Sequence, residues 1–527
     1  MTGKANFCLK GMLYTKGFSV LKEKDGKTGC TSKRTGSLNG KVAKGEIKCY
    51  FDRAKHNSVN ACARVRIKAK GKKVITMNEG LEKRYGLLTA IAMVVGIVIG
   101  SGVFFKAEKV LVATGGDLPT GLLAWFLGGM VMVICAYNFA IMATKHEKVS
   151  GVVDYAEVLV GPRYAYFFAW FAAVIYFPAM TSVVAWVAAR YFGVLMGWSI
   201  VGPEVMVLSG VFLVGSYVVN ALAPRLAGKL QVTTTVAKLI PLFLMAIVGT
   251  VFGMKNGILA QNLSSGAIVE VSGNPLFTAV VGTCFAYEGW ICATSINSEL
   301  KDSKKNLPRA LTFGSLFVVL VYMVYYIGLA GAVENEVMMA GGETGAKIAF
   351  STVFTQAGGT LLFVFVVISC LGTLNGLMMA NTRSFYAMAA RKVGPRPRVF
   401  GVVDEVTKMP TNSALLGLMM AMIWLAYFYG ANLAPELWFG PFCFDSSELP
   451  IVTIYAMYIP IFVMQMVKEK EMSTMHRIVA PVLGILASSF MVLAAIVSLG
   501  KAIIYYMILF AVVMVIGMLM KNYGHNE

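Results

Sequence analysis

Three stretches of this chain place polar or permissive residues where apolar packing would be expected. Glu288 lies in Phe285-Ala286-Tyr287-Glu288-Gly289-Trp290, inside an apolar run over about 276–298. A carboxylate at such depth in a membrane costs roughly 2.5 kcal/mol or more, and it commonly marks a ligand path or a proton site. The plainer alternative is a structural partner for a neighbouring polar group. Lys238 sits in Val236-Ala237-Lys238-Leu239-Ile240-Pro241. It is either a lysine reaching the interface along its stem, or a fixed or titrating cation standing in for a metal ion between helices. The third stretch is Gly96-Ile97-Val98-Ile99-Gly100-Ser101-Gly102-Val103-Phe104. Each glycine weakens a helix interior by about 0.8–1.0 kcal/mol relative to alanine, so the helix can unwind and leave N–H groups for an anionic ligand. Close helix packing is the competing use of membrane glycines.

Other chemistry finds no support. The cysteines divide into Cys8, Cys30, Cys49 and Cys62 near the start and Cys135, Cys284, Cys292, Cys370 and Cys443 in apolar segments, with no zinc-type spacing. The histidines, His56, His146, His476 and His525, are scattered. No metal site and no cofactor is expected. A membrane-embedded enzyme would need a convergent nucleophile, base or metal cluster, and the few polar groups inside the apolar runs form no such set.

The elements that must position these residues are membrane helices. Of 527 residues 57% are hydrophobic and 14% charged, against roughly 25% charged in soluble domains. That excludes an ordinary soluble enzyme. Apolar runs of about 20 residues, long enough to cross a hydrocarbon layer of ~30 Å, recur from Gly86 onward. Twelve spans are expected, at about 86–105, 121–143, 165–192, 206–222, 231–253, 276–298, 311–333, 360–389, 412–429, 449–466, 477–499 and 502–520. The runs lack the alternation of barrel strands, so the fold class is all-α. If the start of span 1 is cytoplasmic, 21 of the Lys and Arg residues fall in cytoplasmic loops. Six fall outside: Lys106, Lys109, Arg190, Lys255, Lys347 and Lys501. This asymmetry predicts both termini inside.

The net charge of +20 is concentrated in residues 1–76, which hold 19 Lys and Arg against four acids. That composition predicts disorder. Three readings of this head compete: an extension outside the folded protein, with the functional chain starting near Met77; a cytoplasmic arm against anionic lipid; and a nucleic-acid arm, for which no groove-reading or zinc motif is present. Nucleic acid is not expected as a partner. Residues 77–466 are expected to form a transport core of spans 1–10, and 467–527 spans 11 and 12 with a short tail.

The breaks fall in the first and the sixth span, as they do when spans 1–5 and 6–10 are inverted repeats around a ligand at the midplane. At the level of motifs, Gly100-Ser101-Gly102 within GIVIGSGVFF resembles the span-1 signature of the amino acid–polyamine–organocation transporters. FAYEGW resembles their span-6 signature. Asn297-Ser298-Glu299-Leu300-Lys301 and Asn306-Leu307-Pro308-Arg309-Ala310 resemble the loop that follows, and Val236-Ala237-Lys238-Leu239 resembles span 5 of the L-type amino acid transporter branch. The resemblance covers about residues 80–520.

What the resemblance implies is a plasma-membrane amino acid carrier with a leucine-transporter-like 5+5 inverted-repeat fold, working by alternating access. The ligand carboxylate would meet the N–H groups of Ser101 and Gly102, with Gly100 and Gly102 allowing close backbone approach. The ammonium would meet carbonyls of Val98, Phe285, Ala286 and Glu288. Tyr287 and Trp290 would shape or gate the pocket. Lys238 would occupy the place of a sodium ion, so transport would be sodium-independent, by exchange or with protons coupled through Glu288 or Lys238. Glu288 stands where some relatives have a small residue, which favours a cationic substrate or proton coupling. The cysteine through which one branch joins a single-span glycoprotein has no evident equivalent, so no obligate protein partner is implied. A channel or nutrient sensor on the same scaffold is the alternative.

Overall fold

A computed structural model describes residues 86–524 other than Ser101, 147–150, Ser272, Glu405 and Lys408, together with five short strands between Ser19 and Tyr50. The chain divides into two units, Met1–Glu82 and Lys83–Glu527. In the first, Ser19–Val20, Gly29–Ser32 and Ile47–Tyr50 form an antiparallel three-stranded sheet, and Gly36–Leu38 pairs with Lys41–Ala43. The remainder of the Lys-rich head, with Met77, lies outside the described residues, as do Lys83 and Arg84.

Every described element of the second unit is helical. Among the described residues, eleven helices are long and apolar enough to cross a membrane, and a pair of helices bent by 55° makes a twelfth span. Span 1 is Leu87–Val98 followed by Gly102–Ala113. Spans 2 to 5 are Leu118–Lys145, Pro162–Met196, Pro203–Leu222 and Pro224–Asn256. Span 6 is Pro275–Ala286, continued after a break by the 3-10 helix Trp290–Glu299. Spans 7 to 12 are Ser303–Ala332, Gly345–Ala389, Thr411–Asn432, Leu449–Lys468, Met475–Leu499 and Ala502–Met520. Several begin with proline, whose missing N–H costs nothing in a first turn. The side chain of Asn274 caps span 6 by accepting from the Phe277 N–H at 3.1 Å.

The expected spans all appear, but several boundaries move, among them the starts of spans 5 and 7, at Pro224 and Ser303. Span 1 continues to Ala113 instead of stopping near 105, and span 8 begins at Gly345, with a kink at Phe354 and Thr355. Lys106, Lys109, Arg190, Lys255 and Lys347, expected on the outer side, lie within helices. Two of these cations are met inside the protein. Lys106, 1% exposed, pairs with Glu448 at 2.7 Å, and Arg190 lies over the rings of Trp186 and Tyr191.

Spans pack by number: 1 on 6, 2 on 7, 3 on 8 and 4 on 9. The first half of span 1 touches the second part of span 6, and the first half of span 6 touches the second part of span 1. Two five-span repeats of opposite orientation produce this pairing. Span 3 is the axis of the bundle, 89% of its most apolar stretch being buried, whereas span 12 is peripheral at 11%. Spans 5 and 7 meet backbone to backbone. A Cβ on Gly249 would fall 2.4 Å from the Gly328 carbonyl oxygen, one on Gly328 2.2 Å from the Met245 oxygen, one on Gly331 2.4 Å from the Gly249 oxygen, and one on Gly253 2.3 Å from the Gly331 Cα.

Candidate functional site

The first break begins where Ile99, the residue after the first helix of span 1, turns to an extended ψ of 93°. The second helix restarts at Gly102, so its first N–H groups have no acceptor within the helix. Ser101 lies outside the described residues. In span 6 the helix ends at Ala286, and Gly289 takes a φ of +102°, a conformation that side chains disfavour. The breaks touch: a Cβ on Gly102 would sit 2.4 Å from the Ala286 Cα, and one on Gly289 2.7 Å from Ile97 Cγ2. Only glycine lets the two backbones approach so closely.

A small cavity of about 20 Å³ lies at this crossing. Span 1 lines it with Ile97, Val98, Gly100 and Gly102, and span 6 with Phe285, Glu288 and Gly289. Span 3 contributes Met180 and Val184, and span 8 contributes Thr373 and Leu377. Of the residues singled out from sequence, Val98, Gly100, Gly102, Phe285 and Glu288 are thus brought together. Ala286 lies against Gly102, with its carbonyl accepting a hydrogen bond from the Tyr322 hydroxyl at 3.0 Å.

Tyr287 and Trp290 are not among the lining residues. Tyr287 donates to the Trp125 carbonyl at 2.9 Å, and its ring meets Trp125 edge-on at 5.6 Å. Trp290 lies between Phe139 and Tyr458, at 5.7 and 5.9 Å. Both hold span 6 to its neighbours.

Glu288 is 7% exposed. Its Oε1 accepts from the Tyr176 hydroxyl, whereas Oε2 has no partner among the described residues. Tyr176 ends a π-helical turn, Ala172–Tyr176, just before Pro178. Proline lacks an N–H for the Val174 carbonyl, and the Trp424 indole N–H supplies that bond at 2.8 Å. Lys238 is fully buried. Its ammonium donates to the Gly96 carbonyl at 2.7 Å and to Thr373 Oγ1 at 3.2 Å, joining spans 1, 5 and 8 at the edge of the cavity.

Ionic groups close both ends. Beyond the cavity, Phe285 is covered by the Lys106 ammonium, 5.5 Å from the ring centroid, and Lys106 is held by Glu448. Burial alone would raise the Asp445 carboxyl, but Lys106 and the Ser447 N–H at 2.7 Å outweigh it and hold the group below the usual carboxylate range. At the end bearing the basic loops, a short helix, Val152–Leu159, is tied down by Arg391, which bonds Asp154 and, at 3.3 Å, Glu157. Glu469 receives Lys145 at 2.5 Å and His146 at 3.1 Å. Burial opposes ionisation of Glu469, but the hydrogen bonds with Lys145 and His146 and the Lys145 charge win, and its carboxyl titrates below its ordinary value.

Sequence reasoning missed Tyr176, Met180, Thr373, Leu377 and Tyr322. The three tyrosines of Val321-Tyr322-Met323-Val324-Tyr325-Tyr326, polar-tipped residues in an apolar run, were the one signal for the last.

Residues 85–519 match the family described as amino acid permease. The chain is 30% identical over 392 residues to the serine/threonine exchanger SteT of Bacillus subtilis, covering 73% of this chain and 83% of that protein. It is 25% identical to the b(0,+)-type amino acid transporter 1 of Homo sapiens, covering 82% of this chain and 86% of the relative. The cystine/glutamate transporter of Homo sapiens is 24% identical over 65% of this chain and 68% of its own length.

Proposed function

Because the chain belongs to the amino acid permease family and is a membrane carrier of amino acids, we propose that it works by sodium-independent exchange through alternating access. The observation that carries this reading is the contact of the two broken spans, Gly102 against Ala286, beside a small cavity that residues of both spans line. In this reading the substrate carboxylate takes the N–H groups at Ser101 and Gly102, at the positive end of the second helix of span 1. The ammonium takes carbonyls at Val98, Phe285, Ala286 and Glu288. Such charge-assisted hydrogen bonds contribute about 1.5–3 kcal/mol each in a dry site. Lys238 places an ammonium group between spans 1, 5 and 8, where a sodium ion would otherwise sit, so no sodium ion is required. The Lys106–Glu448 pair and the Arg391 ties of the short helix are the contacts that open alternately.

The basic loops face the cytoplasm and both termini are inside, in the plasma membrane, with the Lys and Arg asymmetry as the support. The carrier works without an obligate protein partner and does no covalent chemistry. Residues 1–76 are an extension that transport does not require. One observation favours a second coupling mode: the unpartnered Oε2 of Glu288 in the cavity suits a transported proton or a cationic side chain.

Counterflow in proteoliposomes tests the reading. Labelled amino acids should enter only vesicles preloaded with unlabelled substrate, with or without sodium. Entry driven by an inward proton gradient alone would replace exchange by symport, and no flux in either condition would leave the sensor reading.

A further inference from the structure

The carbonyls of Val98 and Ala286 are the last of their respective half-helices. Each is a C-terminal carbonyl without an intrahelical donor, at the negative end of a helix dipole. Both are turned to one side chain: the Tyr322 hydroxyl lies 2.8 Å from the Val98 oxygen and 3.0 Å from the Ala286 oxygen. Tyr322 comes from span 7, is fully buried, and is wedged by its ring between Trp125 at 5.5 Å and Tyr287 at 5.1 Å. It belongs to neither broken span and does not line the cavity. Its position is therefore set by its own span 7, by Trp125 of span 2 and by Tyr287, which is itself tied to the Trp125 carbonyl, while its hydroxyl acts on the loose ends of spans 1 and 6.

We infer that Tyr322 is a positioning residue for the substrate ammonium: its hydroxyl orients the Val98 and Ala286 carbonyls from behind, so that both face an ammonium together. The inference rests on the amino acid reading of the site. A hydroxyl has one proton and each carbonyl has two lone pairs. One proton shared by two helix ends leaves acceptor capacity at both. A ligand ammonium, with three N–H donors, meets that surplus. Peptide groups at a helix break have no neighbouring turn to hold their planes, and a rigid side chain anchored elsewhere supplies what the turn would have done. The phenol ring is fixed by aromatic packing, so its hydroxyl can be removed with little change of shape.

The experiment compares wild type and Tyr322→Phe in proteoliposome counterflow. It measures KM and maximal rate for a labelled α-amino acid, and inhibition by the α-hydroxy acid of the same side chain, which keeps the carboxylate and lacks the ammonium. The expected result is a KM raised about tenfold, with a maximal rate little changed and inhibition by the hydroxy acid unaltered. Equal weakening of both ligands would show a general structural role, and an unchanged KM would show none; either overturns the inference while the carrier reading stands. Absence of counterflow in the wild type would overturn both. If Tyr322→Phe does not elute as a folded monodisperse protein, a fluorinated tyrosine at 322 keeps the shape and changes only the acidity of the hydroxyl. A KM shift for the amino acid without one for the hydroxy acid supports the inference, and parallel shifts or none overturn it.

Discussion

Lys238 and Glu288 are both buried charges beside one cavity, and they are treated differently. Lys238 has two acceptors, the Gly96 carbonyl and Thr373, from two other spans. Glu288 has one oxygen bound to Tyr176 and the other unpartnered among the described residues. A buried charge bonded to two other spans behaves as a strut, because removing it strands its partners. A buried carboxyl with an unfilled oxygen, on a residue that lines a cavity, is poised for something that comes and goes. The difference assigns the lysine side of the cavity to scaffold and the glutamate side to ligand or proton.

The comparison breaks most completely if the two backbones are forced apart. In Gly102→Val the added carbons meet the Ala286 backbone, and uptake should fall about a hundredfold or more while the protein still elutes as a monodisperse species. Normal uptake would remove the crossing from the mechanism. Next comes the strut. Lys238→Met should lower turnover about 10- to 100-fold and also lower the melting temperature, since Gly96 and Thr373 lose their donor. Loss of turnover without loss of stability would make Lys238 a coupling group.

Glu288→Gln sharpens the contrast. The Tyr176 hydrogen bond can be kept, so thermal stability should hold. The effect, a change of about tenfold or less, should appear in the pH–rate profile or in the preference for cationic over neutral substrates. A melting temperature that falls as far as in Lys238→Met would erase the distinction.

The smallest effect is at the end bearing the basic loops. Glu469 titrates below its ordinary value in the folded protein. Its stabilising contribution is therefore complete above the unfolded value of about 4.3, and it is lost as the pH falls through the depressed one. A melting curve in detergent should show a shallow acid loss that Glu469→Gln abolishes.

The spans were legible because continuous apolar runs have no other use at this length. The breaks were legible because glycine at Gly100, Gly102 and Gly289 contradicts a helix interior. Glu288 and Lys238 stood out for the same reason, as charge against an apolar background. The rest of the site has no such contrast. Met180, Val184 and Leu377 look like any membrane residue, and only the packing of spans 3 and 8 brings them to the cavity. Tyr287 and Trp290, neighbours of Glu288 in the chain, turn to spans 2 and 10, because adjacent residues on a helical turn face different ways. The ends of spans 1 and 8 were misjudged where charge was taken as an exit from the membrane. Lys106 shows why that sign fails, since a partner 342 residues away lets a cation stay inside.

The glycine seam between spans 5 and 7 has a consequence for genetics. Any missense change at Gly249, Gly253, Gly328 or Gly331 adds at least one carbon, and the space that carbon would need is already taken by facing backbone. No replacement is mild there, alanine included. A saturation library should therefore show four intolerant positions outside the cavity lining, with the mutational profile of a second binding site and none of its chemistry. Tolerance maps of this carrier would need a chemical criterion, such as protection by substrate, before an intolerant position is counted as part of a site.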